Sequence, residues 1–155
     1  MADVNMEKAK QVYEAIISML DKRNWSYDRH DEDLVISSGV KGDDLPINFI
    51  LAVNAKNQVV SFLSRLPFTM SEEKMVDGAI ACCIANNRLV DGSFDYDVTN
   101  GNITFRLTTC YRDSDISESV FEYMIMVASM TVDNYNDKFL MISKGMMSVD
   151  QLLNN

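Results

Sequence analysis

The stretch 69–111 constrains the fold of this chain more than any other part of the sequence. It joins a helix-like pattern to Asn100-Gly101, a dipeptide preferred in type I′ turns because both central residues need a positive φ. Folding about this turn predicts a hairpin with the cross-strand pairs Val98–Ile103, Tyr96–Phe105 and Phe94–Leu107 on one apolar face. The other face brings Asp95 to Arg106 as an ion pair, so this hairpin has one wet side.

The first half of that stretch predicts a helix that ends near Asn87. Thr69 and Glu72 have the spacing of a capping box, in which each side chain bonds an amide at the helix end. Gly78 and Ala79 are small and would let another backbone approach closely. The apolar stripe consists of Met75, Val76, Ala79, Ile80, Cys83 and Ile84.

A second hairpin is predicted over 46–66, with its turn at 54–57. One face is apolar through Ile47, Phe49, Leu51, Val53, Val60, Phe62 and Leu66. The opposite face is apolar as well, through Ile50, Ala52, Val59 and Leu63. A strand pair that is apolar on both sides is covered on both sides, and the cover could be a helix, a second subunit or a partner.

The remaining segments complete an α+β pattern. Apolar residues at helical spacing predict a first helix over 4–22 and a long last helix from Ser114 to a cap at Gly145. The segment 25–40 fits one or two short strands. We therefore predict a single domain over 1–155, an antiparallel sheet with packed helices in the order α-β-β-β-α-β-β-α. Many of the eleven methionines fall in the last helix and tail, where they form either core or a binding surface, with core the favoured interpretation.

Composition limits the possible partners. The net charge is −9 and no cluster of Lys and Arg is longer than two residues, which argues against nucleic acid and anionic membrane surfaces. No apolar run is long enough to cross a bilayer. Three cysteines, an odd number, favour a reducing compartment over a disulfide framework. We expect a cytoplasmic protein whose partner is another protein.

The residues that carry chemistry are sparse. His30 is the only histidine, which makes a Ser–His or Cys–His nucleophilic site improbable. Cys82 and Cys83 are adjacent on a helix and diverge by about 100°, so they do not form a metal-binding pair; packing as small buried hydrophobes is favoured for both and for Cys110. Glycine-rich phosphate loops are absent from the sequence. We expect no catalytic residue, no metal, no cofactor and no enzymatic activity.

The run ANNRLVDGSFDYDVTNGNITFRLTTCY at 85–111, followed by the Met-rich helix, resembles the YbjN-like family, bacterial proteins described as candidate sensory transduction regulators. The resemblance implies the fold of type III secretion chaperones. We expect a non-catalytic binding or regulatory module that acts as a homodimer and holds a protein segment. The alternatives are a secretion chaperone for one effector, and a small-ligand sensor or enzyme. The predicted partner or dimer contacts are Ile50, Val59, Leu63, Met75, Gly78, Ala79 and Met126.

Overall fold

The computed structural model describes residues 2–155, with side chains from residue 5 onward. Its elements follow one another as α1 (Ala2–Lys22), β1 (Asp28–His30), β2 (Val35–Lys41), β3 (Pro46–Asn54), β4 (Val59–Thr69), α2 (Met75–Asn86), β5 (Ser93–Tyr96), β6 (Asn102–Cys110), α3 (Glu118–Ser143) and α4 (Val149–Asn154). A single 3₁₀ turn, Glu72–Lys74, leads into α2. None of the helices in these ranges is long and apolar enough to span a membrane.

The six strands form one antiparallel sheet in the order β1-β2-β3-β4-β6-β5. The predicted α+β class and the antiparallel sheet are confirmed. The segment 25–40 supplies two strands, so β1 is added at one edge, and the tail adds α4. The chain thus builds a four-stranded meander first, and the β5–β6 hairpin then joins it along β4.

The register of the β5–β6 hairpin differs from the prediction by two residues. Phe94 lies opposite Phe105 and Tyr96 opposite Ile103, because the turn is longer than a two-residue type I′ turn. Gly101 has a φ of +75°, but Asn100 is not among the residues with positive φ. The carboxylate of Asp97 accepts bonds from Thr99 and Asn100 and holds the wider loop in place.

A shift of two residues leaves each strand residue on the face that was predicted for it. Phe94 and Phe105 are accordingly buried, whereas Val98 falls in the loop and is 72% exposed. The predicted ion pair is present, with Nε of Arg106 2.7 Å from Oδ2 of Asp95. It runs diagonally, since Asp95 lies opposite Thr104.

The predicted capping box at Thr69 is wrong. Thr69 is the last residue of β4, and the strand continues past Pro67 with an irregular register between Arg65 and Thr69. Ser71 precedes the 3₁₀ turn without a side-chain cap. Its backbone amide and hydroxyl instead bond the side chain and carbonyl of Ser143, at distances of 3.0 Å each. The start of α2 is therefore fixed by the end of α3.

The core lies between the helices and one face of the sheet. The predicted inward residues of β3 and β4 are all buried, and α1 and α3 pack on this side. Phe94 is at the centre of an aromatic cluster, with ring centroids 5.0 Å from Phe105, 5.5 Å from Tyr135 and 5.0 Å from Phe139. Edge-to-face pairs of this kind add about 0.5–1.5 kcal/mol each beyond their buried area.

The last helix closes at Gly145 as predicted, with a φ of +71°, but it begins at Glu118 and not at the predicted Ser114, because the backbone is still extended at Ser117. The amide of Met146 bonds the carbonyl of Met141 at 2.8 Å, as in a glycine-terminated helix. Some methionines of the last helix and tail lie in the core, and others form exposed apolar surface. Met124 is buried, while Met126, Met130 and Met146 are more than half exposed. The helix thus offers core on one side and apolar surface on the other.

Candidate functional site

The sheet leaves open the face opposite its helices, and this face is the main candidate site. Strand pairing places Asp28, Ser37, Ile50, Leu63 and Arg106 in one row across β1, β2, β3, β4 and β6. Residues directly opposite one another in an antiparallel pair point to the same side. The predicted contacts Ile50 and Leu63 are therefore neighbours, and both are half-buried.

A groove of about 710 Å³ runs across the strands at this row. Its floor contains Ile50 and Leu63, and its depth comes partly from Gly39, which lies opposite Asn48. A Cβ at Gly39 would come within 2.8 Å of Oδ1 of Asn48 and 3.2 Å of the carbonyl oxygen of Ile47. The groove is lined by Ser26, Tyr27, Asp28, Ser37, Ser38, Gly39, Asn48, Phe49, Ile50, Leu63, Arg65 and Thr104.

The two ends of the groove carry opposite charges. Asp28 lies at the β1 end and Arg65 at the β4–β6 end. Among the side chains from residue 5 to 155, neither one has an ion-pair partner within 4.0 Å. Nη2 of Arg65 donates a bond of 2.6 Å to Oδ1 of Asn102. The apolar floor of the groove thus lies between two unpaired charges, and such an arrangement can orient a bound ligand.

Two carboxylates lie close to Arg65 but are already bonded elsewhere. Asp95 is held by Arg106 through two bonds, at 2.7 and 3.1 Å. Hydrogen bonds from Thr99, chiefly from its hydroxyl, lower the pKa of Asp97, and Arg65 makes only the smallest of the contributions to that shift. The guanidinium of Arg65 therefore keeps capacity for a carboxylate from outside the chain.

His30 and Ser37 form the one arrangement on this face that resembles a nucleophile and a base. Nε2 of His30 lies 3.0 Å from Oγ of Ser37, between β1 and β2. His30 is exposed, and no carboxylate among the described side chains bonds its other nitrogen. A catalytic triad needs a third group that orients the base. The pair is a hydrogen bond on the exposed face of the sheet, between β1 and β2.

The predicted contacts on α2 take part in internal packing. Gly78 is buried, and a Cβ at this position would lie 2.5 Å from Cγ of Met70 and 2.9 Å from Oη of Tyr96. The carbonyl of Met75 accepts a bond of 2.7 Å from that same Tyr96 hydroxyl. Ala79 is half-buried. The small residue at 78 thus permits close contact with this chain's own β5, and a role in contact with a partner stays a prediction.

The remaining predicted contacts lie apart from the groove. Val59 is on the open face, but it pairs with Cys110 two rows from the groove floor. Met126 is 53% exposed on the outer side of α3, together with Met130 and Tyr123 at helical spacing. On α2 the exposed apolar residues are Val76, at 72%, and Ile80, at 42%. The structure therefore brings Ile50 and Leu63 together, leaves Val59 and Met126 elsewhere on the surface, and uses Gly78 in internal packing.

The cysteines only partly match the expectation that all three are buried. Cys82 is buried, while Cys83 and Cys110 are exposed, and all three are free thiols. Burial raises the pKa of the Cys82 thiol to about 12. Within the part of the chain that the structure describes, no three His, Cys, Asp or Glu side chains converge as metal ligands.

Comparisons with known structures agree with this architecture. YbjN from E. coli, described as a candidate transcription regulator, aligns with a TM-score of 0.59 at 10% identity, over 81% of this chain and 91% of its own. The chain has a YbjN-like fold. A chain of the ExsC–ExsE complex aligns with a TM-score of 0.56 at 10% identity, over 83% of this chain and 93% of its own. The YbjN-like, secretion chaperone-like fold that the resemblance implied is confirmed.

Sequence comparison adds no relative to these structural neighbours. No model of a protein family matches the chain, and no curated protein matches it.

Sequence reasoning missed Asp28, Gly39 and Arg65. The sequence gives one usable indication of the groove: Val35, Ser37 and Gly39 alternate along one strand, so they lie on the same face of the sheet. The partners of that face across the sheet depend on register, and register was not readable from the segment 25–40. The charges at the groove ends could therefore not be paired with its floor in advance.

Proposed function

We propose that this protein is a non-catalytic binding module that holds a segment of another protein on the open face of its sheet. The observation that carries the proposal is the groove over Ile50 and Leu63, an apolar floor left uncovered while the opposite face is fully packed. Apolar surface of this kind, rimmed by polar groups, is typical of interaction sites. The fold is shared with a chain from a protein–protein complex, ExsC–ExsE, which supports the same class of function.

A library of random peptides displayed on phage tests the proposal directly. Wild-type protein is expected to enrich peptides with apolar side chains, and Ile50→Lys or Leu63→Lys should release them because a charge then occupies the apolar floor. Val98→Lys is the matched control, since Val98 is an exposed valine in the β5–β6 loop, outside the groove. Enriched peptides that bind Ile50→Lys as well as wild type would exclude this face as the site.

The proposal includes a homodimer, formed through the outer stripe of α2. Val76 and Ile80 are exposed there one turn apart, and Cys83 continues the stripe. Multi-angle light scattering should give twice the 17.6 kDa mass of one chain. Ile80→Asp should give the monomer, whereas Val90→Asp, at a residue 98% exposed outside α2, should leave the mass unchanged. A wild-type monomer at all accessible concentrations would remove the dimer from the proposal.

A secretion chaperone dedicated to one effector is the second candidate function, and the likeness to a chain of the ExsC–ExsE complex favours it. It differs from a general binding module in having one cognate partner. Co-expression with the proteins encoded beside it is the discriminating experiment. One neighbour that co-purifies with wild type and is lost with Leu63→Lys supports the chaperone, and a host without a secretion system rules it out.

A further inference from the structure

The open-face groove has features that define the chemistry of its occupant beyond a general apolar segment. The inference below rests on the proposed function. Its starting point is the row in which Asp28, Ile50 and Leu63 lie in register across β1, β3 and β4, with Arg65 two residues beyond Leu63 on the same face. Acid, apolar floor and base therefore follow one another across the strands.

The dimensions of the row fix the spacing that a ligand must match. From β1 to β4 there are three inter-strand steps of about 4.8 Å, and Arg65 adds two residues along its strand. The Cα atoms of Asp28 and Arg65 are thus about 16 Å apart by ladder geometry. An extended chain covers this length in about five residues.

The edges of the sheet argue against a ligand that adds as a further strand. The outer edge of β5 is occupied by Asn86, whose side-chain amide accepts from the Phe94 amide at 2.7 Å and donates to the Phe94 carbonyl at 3.0 Å. The other edge, β1, has only three residues. Strand addition needs a row of free backbone groups. The face, where residues of five strands line the groove, offers the larger surface.

We propose that the groove binds an extended protein segment that crosses the strands, with a basic side chain over Asp28, apolar side chains on Ile50 and Leu63, and an acidic side chain over Arg65. The two charged residues of the segment are about five positions apart. Complementary charges of this kind contribute mainly to specificity and orientation, while the apolar contacts supply affinity. A second copy of this chain is the poorer occupant, because the exposed apolar residues that suit contact between copies, Val76 and Ile80, lie on α2 and outside the groove.

Labelled synthetic peptides measured by fluorescence anisotropy test this polarity. The three probes have two leucines between charged positions five residues apart in a serine background, and carry Lys and Glu, Lys and Lys, or Glu and Glu at those positions. Exchanging Lys and Glu is not informative, because an extended peptide can bind in either direction. Wild type is expected to prefer the Lys–Glu peptide by about five- to tenfold, the range of one or two charge-assisted contacts.

Groove variants should change that preference in a defined way. Arg65→Glu should come to favour the Lys–Lys peptide, and Asp28→Lys the Glu–Glu peptide. Lys56→Glu and Asp44→Lys make the same changes in net charge at exposed positions outside the groove, so they control for long-range electrostatics and should leave the Lys–Glu peptide preferred. Arg65→Gln, which should only lose the preference, replaces Arg65→Glu if the latter unfolds.

The outcomes separate the two proposals. If peptides bind through Ile50 but wild type shows no preference for the Lys–Glu peptide, the proposed charge pattern is wrong and the binding module still stands. The same holds if only the control variants change that preference. Binding that Ile50→Lys does not weaken, or no binding of any probe, overturns both. If the free Lys–Glu dipeptide competes as well as the full peptide, the groove takes small zwitterions and the segment is the wrong occupant.

Discussion

At the scale of single residues, Asn136 is a polar side chain buried in the apolar core without a hydrogen-bond partner among the described residues. It is 1% exposed on α3, and neither amide atom has a hydrogen-bond partner among the residues that the structure describes. A buried amide without a partner costs about 1–3 kcal/mol. Asn136→Leu keeps the branching and the number of side-chain heavy atoms but removes the unpaired amide, so it is expected to raise the free energy of unfolding by about 1–2 kcal/mol in urea denaturation.

A second asparagine provides the control for that experiment. The amide of Asn86 makes two hydrogen bonds to the backbone of Phe94, so Asn86→Leu leaves an amide and a carbonyl unpaired. It should lower the free energy of unfolding by about 1–3 kcal/mol. A loss of stability in Asn136→Leu as well would mean that Asn136 is satisfied by a group that the hydrogen-bond geometry does not show.

The reactivity of each cysteine should decrease with the burial of its thiol. With a pKa of about 12, the Cys82 thiol has a thiolate fraction at pH 8 about a thousandfold or more below that of a cysteine at the ordinary value near 8.5. Iodoacetamide should therefore modify the exposed Cys83 and Cys110 and leave Cys82 unmodified, as read by peptide mass spectrometry. Adding urea should make all three react. Early labelling of Cys82 under native conditions would contradict the packing of α2.

At the scale of elements, the β5–β6 turn should give the hairpin a pH-dependent contribution. The hydrogen bonds from Thr99 lower the pKa of Asp97 below its ordinary value of 3.8. A group whose folded pKa is lowered stabilises the fold above its unfolded pKa, and this stabilisation is lost as the pH falls through the folded value. Asp97→Ala should thus destabilise the protein near neutral pH and progressively less below about pH 4.

Parallel urea titrations at several pH values provide the measurement for Asp97. Asp44→Ala is a suitable reference because the Asp44 side chain is exposed and forms no ion pair with the described residues. Asp44→Ala should have nearly the free energy of unfolding of wild type, because only an exposed side chain is truncated. A constant deficit for Asp97→Ala across the same range would show that the turn depends on the shape of Asp97 and not on its charge.

The C-terminal helix α4 is held by a cap that can be removed alone. Ser148 accepts a bond from the amide of Gln151, and the Gln151 side chain bonds the amide of Ser148 in return. Ser148→Ala should cost the helix about 1 kcal/mol, or about fivefold faster amide exchange over 149–154. Ser117 precedes α3 without a side-chain cap, so Ser117→Ala should leave exchange in α3 unchanged. Equal effects of the two variants would contradict a specific role for the cap.

The elements themselves were largely readable from the sequence, and the exceptions have physical causes. Periodicity located α1, α3 and the β3–β4 hairpin, because burial of one face is a local pattern. Asn100-Gly101 correctly marked a turn, yet the side chain of Asp97 selected a longer one. The spacing of Thr69 and Glu72 fits a capping box, but β4 runs through that cap position. Local signals fail where a neighbouring element competes for the same backbone.

At the scale of the whole molecule, the α+β class and the resemblance to a known fold were predictable, and the candidate groove could be predicted only in part. Ile50 and Leu63 could be named because an outward apolar residue on a strand is a visible anomaly. Asp28 and Arg65 are ordinary charged residues in the sequence. They become a pair only when β1 and β4 take their places in one sheet, which no local pattern specifies.

The pairing of β4 with β6 has a consequence for how the chain folds. Neighbouring strands within 28–69 and within 93–110 are joined by short loops, whereas β4 and β6 meet only after α2 and β5 have been passed, with Val59 paired to Cys110 and Arg65 to Thr104. The entropy of closing a loop grows with its length, and contacts between distant residues slow folding. We therefore expect the segments 28–69 and 93–110 to form first, and their pairing along β4 and β6 to limit the folding rate. Helix α3, which packs on β3, β4 and β6, should dock last.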